Sequence, residues 1–386
     1  MSGTVLKTAL LAALMSTTAI VGARADITVG FITSMSGPVS SIGIPYSRGI
    51  KAGEAHIGEV GGQKFKVIAL DDASDVSNAS KLARKLIEED KVDVLIGTAG
   101  APGSAAIMAV ATEMKVPVVG ITPVPGVPKN DGKPWALTVV QPASDMVGAV
   151  VQEMKAQNIK NVGFIGFSDS WGDLVYNNGK AAADKLGINI VTNERYARAD
   201  TSVSAQILKV VAARPDAVLN GGSGTGGALP YTALAERGFK GPIFGTPALI
   251  NPDFVRLAGA AGEGTVCSTG PVMVVNQLPD AHPSKKIGLA FKEAHLKANG
   301  VASNDGFSAY AFDAWLVLAD ASKRALAKAK PGTPEFRSAL RDEMYQVKEL
   351  AGSHGVFNFK EDSPYGTDMR ALVLVKLQKG EWKFYK

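Results

Sequence analysis

The sequence predicts an α/β fold made of two doubly wound parallel-sheet lobes. Short apolar segments alternate with amphipathic segments of helical period along most of the chain, and this alternation is typical of parallel strands covered by helices. A unit of helix, turn, aspartate, apolar strand and glycine also occurs twice, ending at Asp93–Gly97 and again at Asp216–Gly222. The repeat favours two lobes of similar construction; the alternative is the ordinary self-similarity of any α/β chain.

Length and composition exclude several classes of protein. The 386 residues are enough for two domains. The 41 lysines and arginines nearly balance the 36 acidic residues, and no basic run is interleaved with aromatic residues, so we expect no nucleic-acid partner. Cys267 is the only cysteine and the four histidines are scattered without ligand spacing. We therefore expect no internal disulfide, no metal and no cofactor.

The N-terminus is typical of an export signal. Lys7 supplies a positive charge, residues 8–21 are a short apolar segment, and Ala23–Ala25 is an A-x-A cleavage site. The segment is too short for a permanent membrane helix, and no cysteine follows it to carry a lipid. We expect residues 1–25 to be a signal peptide cleaved after Ala25, and the mature protein to be periplasmic. An uncleaved, buried helix is the alternative.

The most informative stretch of the first lobe runs from Asp93 to Ser104. Val94–Ile96 is an apolar run that predicts a buried strand, and three glycines then break it. Ser104 is placed to cap a helix over Ala105–Met114. A strand that ends in a glycine loop and a helix N-terminus presents free backbone N–H groups, which suit an anion.

The other elements follow from the same rules, with β-branched runs predicting strands and i, i+3, i+4 apolar spacing predicting helices. Asp71 and Asp72, at the end of the second strand, are interpreted as turn and cap residues. The expected strands are Ile27–Ile32, Phe65–Leu70, Val116–Gly120, Val162–Phe167, Ile188–Val191, Ala217–Leu219, Thr265–Val275 (crossing between lobes), and a terminal pair, Val356–Phe359 with Ala371–Leu377; the clearest further helices are Pro45–Ile57, Ser144–Gln157 and Gly306–Lys328.

The chain shows no motif that would supply a catalytic nucleophile with its base. There is no G-x-S-x-G elbow, no phosphate-binding P-loop, and no G-x-G-x-x-G after the first strand. The loops at the carboxyl ends of the expected strands are instead rich in glycine, serine, threonine and proline. Open α/β sheets bind ligands at that edge, and such loops bind through N–H groups and hydroxyls. We therefore expect a binding protein and not an enzyme.

Five short motifs occur in the order found in one family. They are a polar loop after the first strand, an acidic strand end, an aromatic–glycine loop, a late helix and a late glycine turn: Met35–Gly43, Leu70–Asp75, Ser168–Asp173, Asp313–Leu316 and Gly355–Phe359. On these motifs the chain resembles the periplasmic solute-binding proteins of ABC importers, type I, of the branched-chain amino-acid-binding (Leu/Ile/Val-like) family. The resemblance covers nearly all of Asp26–Lys386.

The resemblance implies two lobes joined by a three-crossing hinge, with the ligand in the cleft between them. It places lobe 1 at residues 26–143 and 274–366, and lobe 2 at residues 144–273 and 367–386. It also implies a monomer that hands a small-molecule ligand to the membrane permease of an ABC importer.

Site residues follow from the resemblance position by position. Ile42 matches a residue of the cleft wall, and Ala99 and Ala101 match residues that hold the carboxylate and ammonium groups of amino acids. Trp171 matches an aromatic residue that covers the ligand, and Ser223 matches another aromatic position. Where the family has serine, position 101 is alanine, and Ser104 is a candidate substitute. The full expected set is Ser36, Ile42, Tyr46, Ala99, Ala101, Gly103, Ser104, Thr122, Trp171, Ser223, Thr246 and Pro247; whether Tyr46, Tyr196 or Tyr310 lines the cleft is left open.

Pro247 departs from the family pattern. Amino-acid binders of this type place a glutamate there to pair with the ligand's ammonium group, and a buried ammonium without a carboxylate is costly. We therefore expect a small organic carboxylate without an ammonium group, most simply an aromatic acid or aromatic 2-oxo acid. Asp169 or Asp173 could instead supply the missing acid, which would restore a branched-chain or other amino-acid ligand. An exported Rossmann-like enzyme and a receptor or sensor ectodomain of the same fold are further alternatives.

Overall fold

The computed structural model describes residues 26–386. The expected signal peptide and its cleavage site lie in residues 1–25, outside the described residues. Within residues 26–386, no helix combines the length and the apolar character needed to cross a membrane.

A six-stranded sheet forms the centre of the first lobe. Its strands are parallel except at one edge, where the short β2 runs antiparallel to β3. The sheet order is β2-β3-β1-β4-β5-β8. The bounds are β1 (Ile27–Thr33), β2 (Glu59–Val60), β3 (Gln63–Asp71), β4 (Val94–Gly97), β5 (Val118–Gly120), a separate hairpin of β6 (Lys129–Asn130) with β7 (Lys133–Pro134), and β8 (Ala136–Thr138).

A seven-stranded sheet forms the centre of the second lobe, in the order β10-β9-β11-β12-β13-β16-β17. Its first four strands follow the same path as β3-β1-β4-β5, which bears out two lobes of similar construction. The bounds are β9 (Asn161–Phe167), β10 (Asn189–Tyr196), β11 (Ala217–Gly221), β12 (Ile243–Gly245), β13 (Val266–Thr269), a separate pair of β14 (Leu350–Ala351) with β15 (Val356–Phe357), and finally β16 (Val373–Gln378) and β17 (Glu381–Phe384).

Helices cover both sheets, as expected for a doubly wound fold. They are α1 (Ser40–His56), α2 (Val76–Glu88), α3 (Ala101–Glu113), α4 (Ala143–Ala156), α5 (Ser170–Leu186), α6 (Ser204–Ala212), α7 (Leu229–Glu236), α8 (Pro252–Ala258), α9 (Pro283–Asn299), α10 (Phe307–Ala325) and α11 (Pro334–Tyr345). The chain passes between the lobes three times: from β8 to α4, from β13 to α9 and from β15 to β16. The predicted α/β class and three-crossing hinge are thus confirmed, while the residue boundaries at 143, 273 and 366 stay a prediction.

The two repeated aspartates, Asp93 and Asp216, make the same kind of hydrogen bond in both lobes. The Asp93 carboxylate accepts a hydrogen bond from the backbone N–H of Thr28, at the start of β1 (2.9 Å). The Asp216 carboxylate accepts one from the N–H of Asn161, at the start of β9 (2.8 Å). Each aspartate therefore fixes the first residues of a central strand through a charge-assisted hydrogen bond to a backbone N–H group of that strand.

Two expected helix starts were wrong. The first helix begins at Ser40, so Pro45 lies inside α1 and not in its first turn. The helix after β4 begins at Ala101 with Gly100 as its cap, so Ser104 lies within the first turn of α3. The Ser104 hydroxyl donates to the carbonyl of Thr98 (3.1 Å), in the loop that precedes the helix.

Two expected strands were also different. The strand from Thr265 ends at Thr269, because Gly270 and Pro271 break it and a 3₁₀ turn follows over Pro271–Gln277. The two terminal strands do not pair with each other: β15 pairs with β14, and β16 lies between β13 and β17. Apolar alternation predicts a strand, but it does not identify the strand's partner.

The C-terminus is held against the first helix of the second lobe. The Tyr385 hydroxyl donates to one oxygen of Glu153 in α4 (3.0 Å), and the Lys386 ammonium donates to the other (2.7 Å). The Glu153 side chain is buried. The last residues of the chain thus complete the second lobe, although the first helix of that lobe lies more than 200 residues earlier in the sequence.

His354 makes the stability of the fold depend on pH. Its ring is buried, stacks on Tyr310 with a centroid separation of 3.7 Å, and its Nε2 lies 2.8 Å from the carbonyl oxygen of Gly306. Burial lowers the pKa of His354 to about 4. The unfolded chain therefore binds a proton near pH 6.5 that the folded protein takes up only near pH 4, so this contribution to stability is lost as the pH falls between those values.

We expect the free energy of unfolding to fall by about 2–3 kcal/mol more in the wild type than in His354→Gln between pH 6.5 and pH 4. Urea unfolding at pH 7, 5.5 and 4 measures the difference, with exposed His56→Gln as the control. Burial raises the pKa of Asp313 to about 7. Asp313 therefore contributes stability that increases as the pH falls, and this contribution is the same in the wild type and in both variants. Parallel pH profiles for the wild type and His354→Gln would contradict the prediction.

Candidate ligand-binding site

A cavity of about 40 Å³ lies between the two lobes, at the carboxyl ends of their parallel strands. This is the edge at which open α/β sheets bind ligands. Seven of the twelve predicted site residues line it. The lining is Ile42, Tyr46, Ala99, Ala101, Thr122, Pro123, Trp171, Arg198, Ser223, Ala248 and Phe307.

The wall from lobe 1 is largely apolar and aromatic. Ile42 and Tyr46 lie one turn apart on α1, and Phe307 at the start of α10 meets the Tyr46 ring edge-on with centroids 5.7 Å apart. The Tyr46 hydroxyl donates to the carbonyl of Ile121 (2.6 Å). Burial raises the pKa of Tyr46, so the phenol is neutral. This wall offers ring surface and no charge.

The loop from β4 to α3 contributes backbone donors. Ala99 and Ala101 line the cavity, and in the part of the chain that the structure describes, no hydrogen bond uses the N–H of either residue. Both lie at the N-terminus of α3, where the helix dipole favours an anion. The Thr122 hydroxyl, which also lines the cavity, donates to the carbonyl of Thr98.

The wall from lobe 2 is built on Trp171, Ser223 and Ala248. Trp171 was expected in a loop, but it lies in the first turn of α5, and its indole N–H donates to the carbonyl of Gly222 (3.2 Å). Its side chain is buried. Ala248 lies in a 3₁₀ turn after β12. The indole ring is thus fixed by its own lobe while it forms part of the cavity wall.

Arg198 is the one charged residue in the cavity lining, and the sequence analysis missed it. Its Nε donates to Asp169 (2.5 Å), its Nη1 donates to Ser223 (2.9 Å), and its guanidinium carbon lies 4.2 Å from the centroid of the Phe167 ring. Among residues 26–386, no hydrogen bond engages Nη2. The guanidinium is therefore held rigidly on one side with donors left for a ligand. Its position just after β10, at the carboxyl edge of the sheet, was the signal that could have found it.

Neither aspartate considered as a substitute acid lines the cavity. One oxygen of Asp169 caps α5 by accepting from the N–H groups of Trp171 and Gly172, and the other accepts from Arg198. Asp173 forms an ion pair with Arg195 (3.1 Å). Each carboxylate is therefore already paired with a cation of its own lobe. Among the eleven lining residues, none is acidic.

Five predicted site residues do not line the cavity. The Ser104 hydroxyl is buried and bonds within its own loop, to the backbone of Thr98. Ser36 is exposed and donates to Asp71 (2.7 Å). Gly103 lines a neighbouring groove at the cleft mouth. Thr246 caps the 3₁₀ turn that Pro247 begins, and both are buried behind Ala248.

The two lobes touch beside the cavity. The hydroxyl oxygen of Ser41, next to Ile42 in α1, accepts a hydrogen bond from the N–H of Thr225 in the glycine loop after β11 (3.3 Å). Gly224 lies against the same side chain. The described residues contain no group of acidic, histidine or cysteine side chains suited to a metal ion.

Two α/β lobes that meet over a small cavity of fixed donors and rings define a ligand-binding receptor. The chain belongs to the periplasmic binding protein family, whose profile, described as "Periplasmic binding protein", matches residues 26–381. Proteins of this family are solute-binding receptors and not enzymes; they are exported and deliver small molecules to ABC importers. The type I, Leu/Ile/Val-like assignment made from the motifs is confirmed.

Three known proteins are similar to the chain. It is 24% identical over 350 residues to the Leu/Ile/Val-binding protein homolog 3 of Brucella melitensis, covering 88% of each chain. It is 40% identical to an extracellular ligand-binding receptor of Rhodopseudomonas palustris, covering 94% of this chain and 100% of that one, with a TM-score of 0.90. A Rhodopseudomonas palustris solute-binding protein of an ABC transporter, solved in complex with benzoate, is 22% identical over 93% of this chain and 95% of that one, with a TM-score of 0.75; at that identity the likeness concerns the fold.

Proposed function

We propose that the protein captures a small organic carboxylate with an aromatic body, an aromatic acid or aromatic 2-oxo acid, and delivers it to the permease of an ABC importer. The observation that carries the proposal is the charge of the cavity lining, which contains one guanidinium and no acid. A carboxylate gains charge-assisted hydrogen bonds from Arg198. The ammonium group of an amino acid would be buried without an ionic partner, which is costly.

The apolar part of the lining supports an aromatic body. Tyr46, Trp171 and Phe307 supply three rings, and aromatic pairs gain roughly 0.5–1.5 kcal/mol beyond the area that they bury. The volume of the cavity, about 40 Å³, limits the ligand to a small molecule. The unused N–H groups of Ala99 and Ala101 supply donors from the other lobe, so the ligand's oxygens would be bound from both sides of the cleft.

A panel of matched ligands tests the proposal. Protein freed of any carried ligand by unfolding and refolding is titrated calorimetrically with benzoate, phenylpyruvate, benzamide and leucine. We expect the two carboxylates to bind at least about 100-fold more tightly than benzamide, which has the same shape without the charge. Each binder at 100 times its dissociation constant should also add roughly 2.7 kcal/mol of stability.

Branched-chain amino-acid binding is the second candidate, and the name of the Brucella relative favours it. In that case leucine, isoleucine or valine would stabilise the protein and benzoate would not. That result would overturn the aromatic-acid proposal and leave the family assignment intact. Binding of benzamide as tight as that of benzoate would overturn the role given to Arg198.

A further inference from the structure

Asp72 joins the three loops that follow β1, β3 and β4 in lobe 1. The residue is buried, with an exposed fraction of 2%. One carboxylate oxygen accepts hydrogen bonds from the Ser34 hydroxyl, in the loop after β1 (2.6 Å), and from the N–H of Ser74, in its own loop (2.9 Å). The other oxygen accepts from the Thr98 hydroxyl, in the loop after β4 (2.5 Å). The expected turn bond is therefore present, but two further bonds reach loops that are distant in sequence.

The bond to Thr98 leads to the donors that lobe 1 offers to the cavity. The Thr98 carbonyl accepts from the hydroxyls of Ser104 and Thr122, and the Thr98 N–H donates to the Ser104 oxygen. The hydroxyl bonded to Asp72 is the remaining polar group of Thr98. Ala99 is the next residue, and its N–H is one of the unused donors of the cavity wall. The direction of this N–H therefore depends on the bond between Thr98 and Asp72.

The bond to Ser34 leads to the cavity wall formed by α1. The start of α1 packs directly on the backbone of Ser34, since a Cβ atom added to Gly43 would lie 1.9 Å from the Ser34 carbonyl oxygen. The Thr33 hydroxyl also donates to the carbonyl of Gly43 (3.2 Å). Ile42 precedes Gly43 and lines the cavity. The position of Ser34 therefore determines where α1 places the side chain of Ile42.

Lobe 2 contains a comparable link between loops. The Tyr196 hydroxyl, at the end of β10, donates to the carbonyl of Gly226 (3.0 Å), in the loop after β11 that also contains Ser223. In both sheets the linked loops belong to the two strands on either side of a central strand, β1 or β9. Asp72 differs from Tyr196 in carrying a charge, and within residues 26–386 it forms no ion pair. Its charge is therefore stabilised by the three hydrogen bonds, which are stronger than bonds between neutral groups.

We propose that Asp72 is a positioning residue for ligand binding, whose carboxylate holds the Ala99 donor and the α1 wall in the arrangement that the ligand requires. Asp72 does not itself line the cavity. The proposal rests on the central cavity as the binding site, but not on the class of ligand proposed for it. Groups that are already held in the bound arrangement lose little freedom when a ligand binds. Loss of the Asp72 bonds should therefore lower the affinity for the ligand.

Asparagine at two adjacent positions separates this role from a general effect on the turn. Asp72→Asn keeps the size of the side chain but leaves one acceptor oxygen where the protein uses two. Asp71→Asn is the control, because the Asp71 carboxylate bonds to Ala73 and to the exposed Met35 and Ser36, and not to the loop after β4. In calorimetric titrations with benzoate, Asp72→Asn should bind at least about tenfold more weakly than the wild type, and Asp71→Asn within about twofold of it. Removal of a negative charge would by itself favour a carboxylate, so weaker binding reports a change of position. Wild-type affinity in Asp72→Asn, or an equal loss in both variants, overturns the proposal.

Thr98→Val removes the hydroxyl that donates to Asp72 and keeps the shape of the side chain. The double variant with Asp72→Asn should bind benzoate within about twofold of the weaker single variant, because both changes break the same link. Fully additive losses overturn the proposal.

Hydrogen exchange of the ligand-free protein tests the proposal without any ligand. The N–H groups of Thr98 and Ser104, which are bonded within the loop after β4, should exchange at least about tenfold faster in Asp72→Asn than in the wild type. They should exchange at the wild-type rate in Asp71→Asn. Equal rates in the wild type and Asp72→Asn overturn the proposal. If the wild type binds leucine and not benzoate, the proposed ligand class fails, and leucine titrations of the same variants decide the role of Asp72.

Discussion

Replacing Arg198 with glutamine is expected to lower the affinity for benzoate about 100-fold and to leave the affinity for benzamide within about threefold. The guanidinium is fixed by Asp169, Ser223 and the Phe167 ring, so its remaining donors meet a carboxylate without loss of side-chain freedom. Hydrogen bonds to charged groups contribute roughly 1.5–3 kcal/mol, and 100-fold corresponds to about 2.7 kcal/mol. Glutamine keeps a donor amide but not the charge.

Arg195→Gln is the matched control for this experiment. Arg195 also pairs with an aspartate, Asp173, and lies over the rings of Phe164 and Tyr176, but it does not line the cavity. Both variants lose an ion pair and a cation–π contact of lobe 2, so their stabilities should fall by similar amounts. Calorimetric titration of each variant with benzoate and benzamide separates the roles. An equal loss of benzoate affinity in both variants would show that Arg198 acts on the fold and not on the ligand.

Replacing Gly224 with alanine is expected to lower ligand affinity about 30-fold by keeping the lobes apart. A Cβ atom at this position would lie 2.6 Å from the Ser41 hydroxyl and 3.4 Å from Ile42, both on the opposite lobe. The methyl group displaces the Ser41 hydroxyl from its hydrogen bond with the N–H of Thr225, which weakens the contact between the lobes, and a ligand bound by both walls must drive closure against this loss. Scattering measurements should show that saturating ligand compacts the wild type and compacts Gly224→Ala less.

The control must separate the clash from backbone strain. Gly224 has a φ of +53°, which costs an alanine roughly 1–2 kcal/mol wherever it occurs. Gly187, the C-cap of α5, has a φ of +68° and nothing within 4 Å of an added Cβ. Gly187→Ala should therefore lose similar stability and keep full affinity. Adding Ser41→Gly to Gly224→Ala should recover part of the affinity; no recovery would count against a clash between the lobes.

The fold could be predicted from the sequence because the patterns that determine it are local. The strand and helix periods, and the aspartates Asp93 and Asp216 before two central strands, each act on the segment that contains them. The position of the cavity could be predicted for the same reason. Residues that follow parallel strands, such as Ala99, Thr122 and Ser223, meet at one edge of the sheet whatever the details of packing.

What the sequence did not reveal depends on contacts between distant segments. The place of Arg198 just after the end of β10 made it a candidate, but its guanidinium enters the cavity because Asp169 and Phe167 hold it there. Ser104 was expected to face the ligand, but the start of α3 at Ala101 turns its hydroxyl toward Thr98. The partners of β15 and β16 were missed because pairing between strands far apart in sequence leaves no local pattern.

The hydrogen bonds from Tyr385 and Lys386 to Glu153 have a consequence for the order of events during secretion. The second lobe lacks β16 and β17, and the partners of Glu153, until the final residues are present. A chain that is still being threaded through a membrane cannot close this sheet, since the pairing of β13 with β16 requires segments separated by about a quarter of its length. Non-local pairings of this kind form slowly. The topology thus leaves β13 without its outer neighbour, and Glu153 without its partners, until the segment from Val373 has emerged.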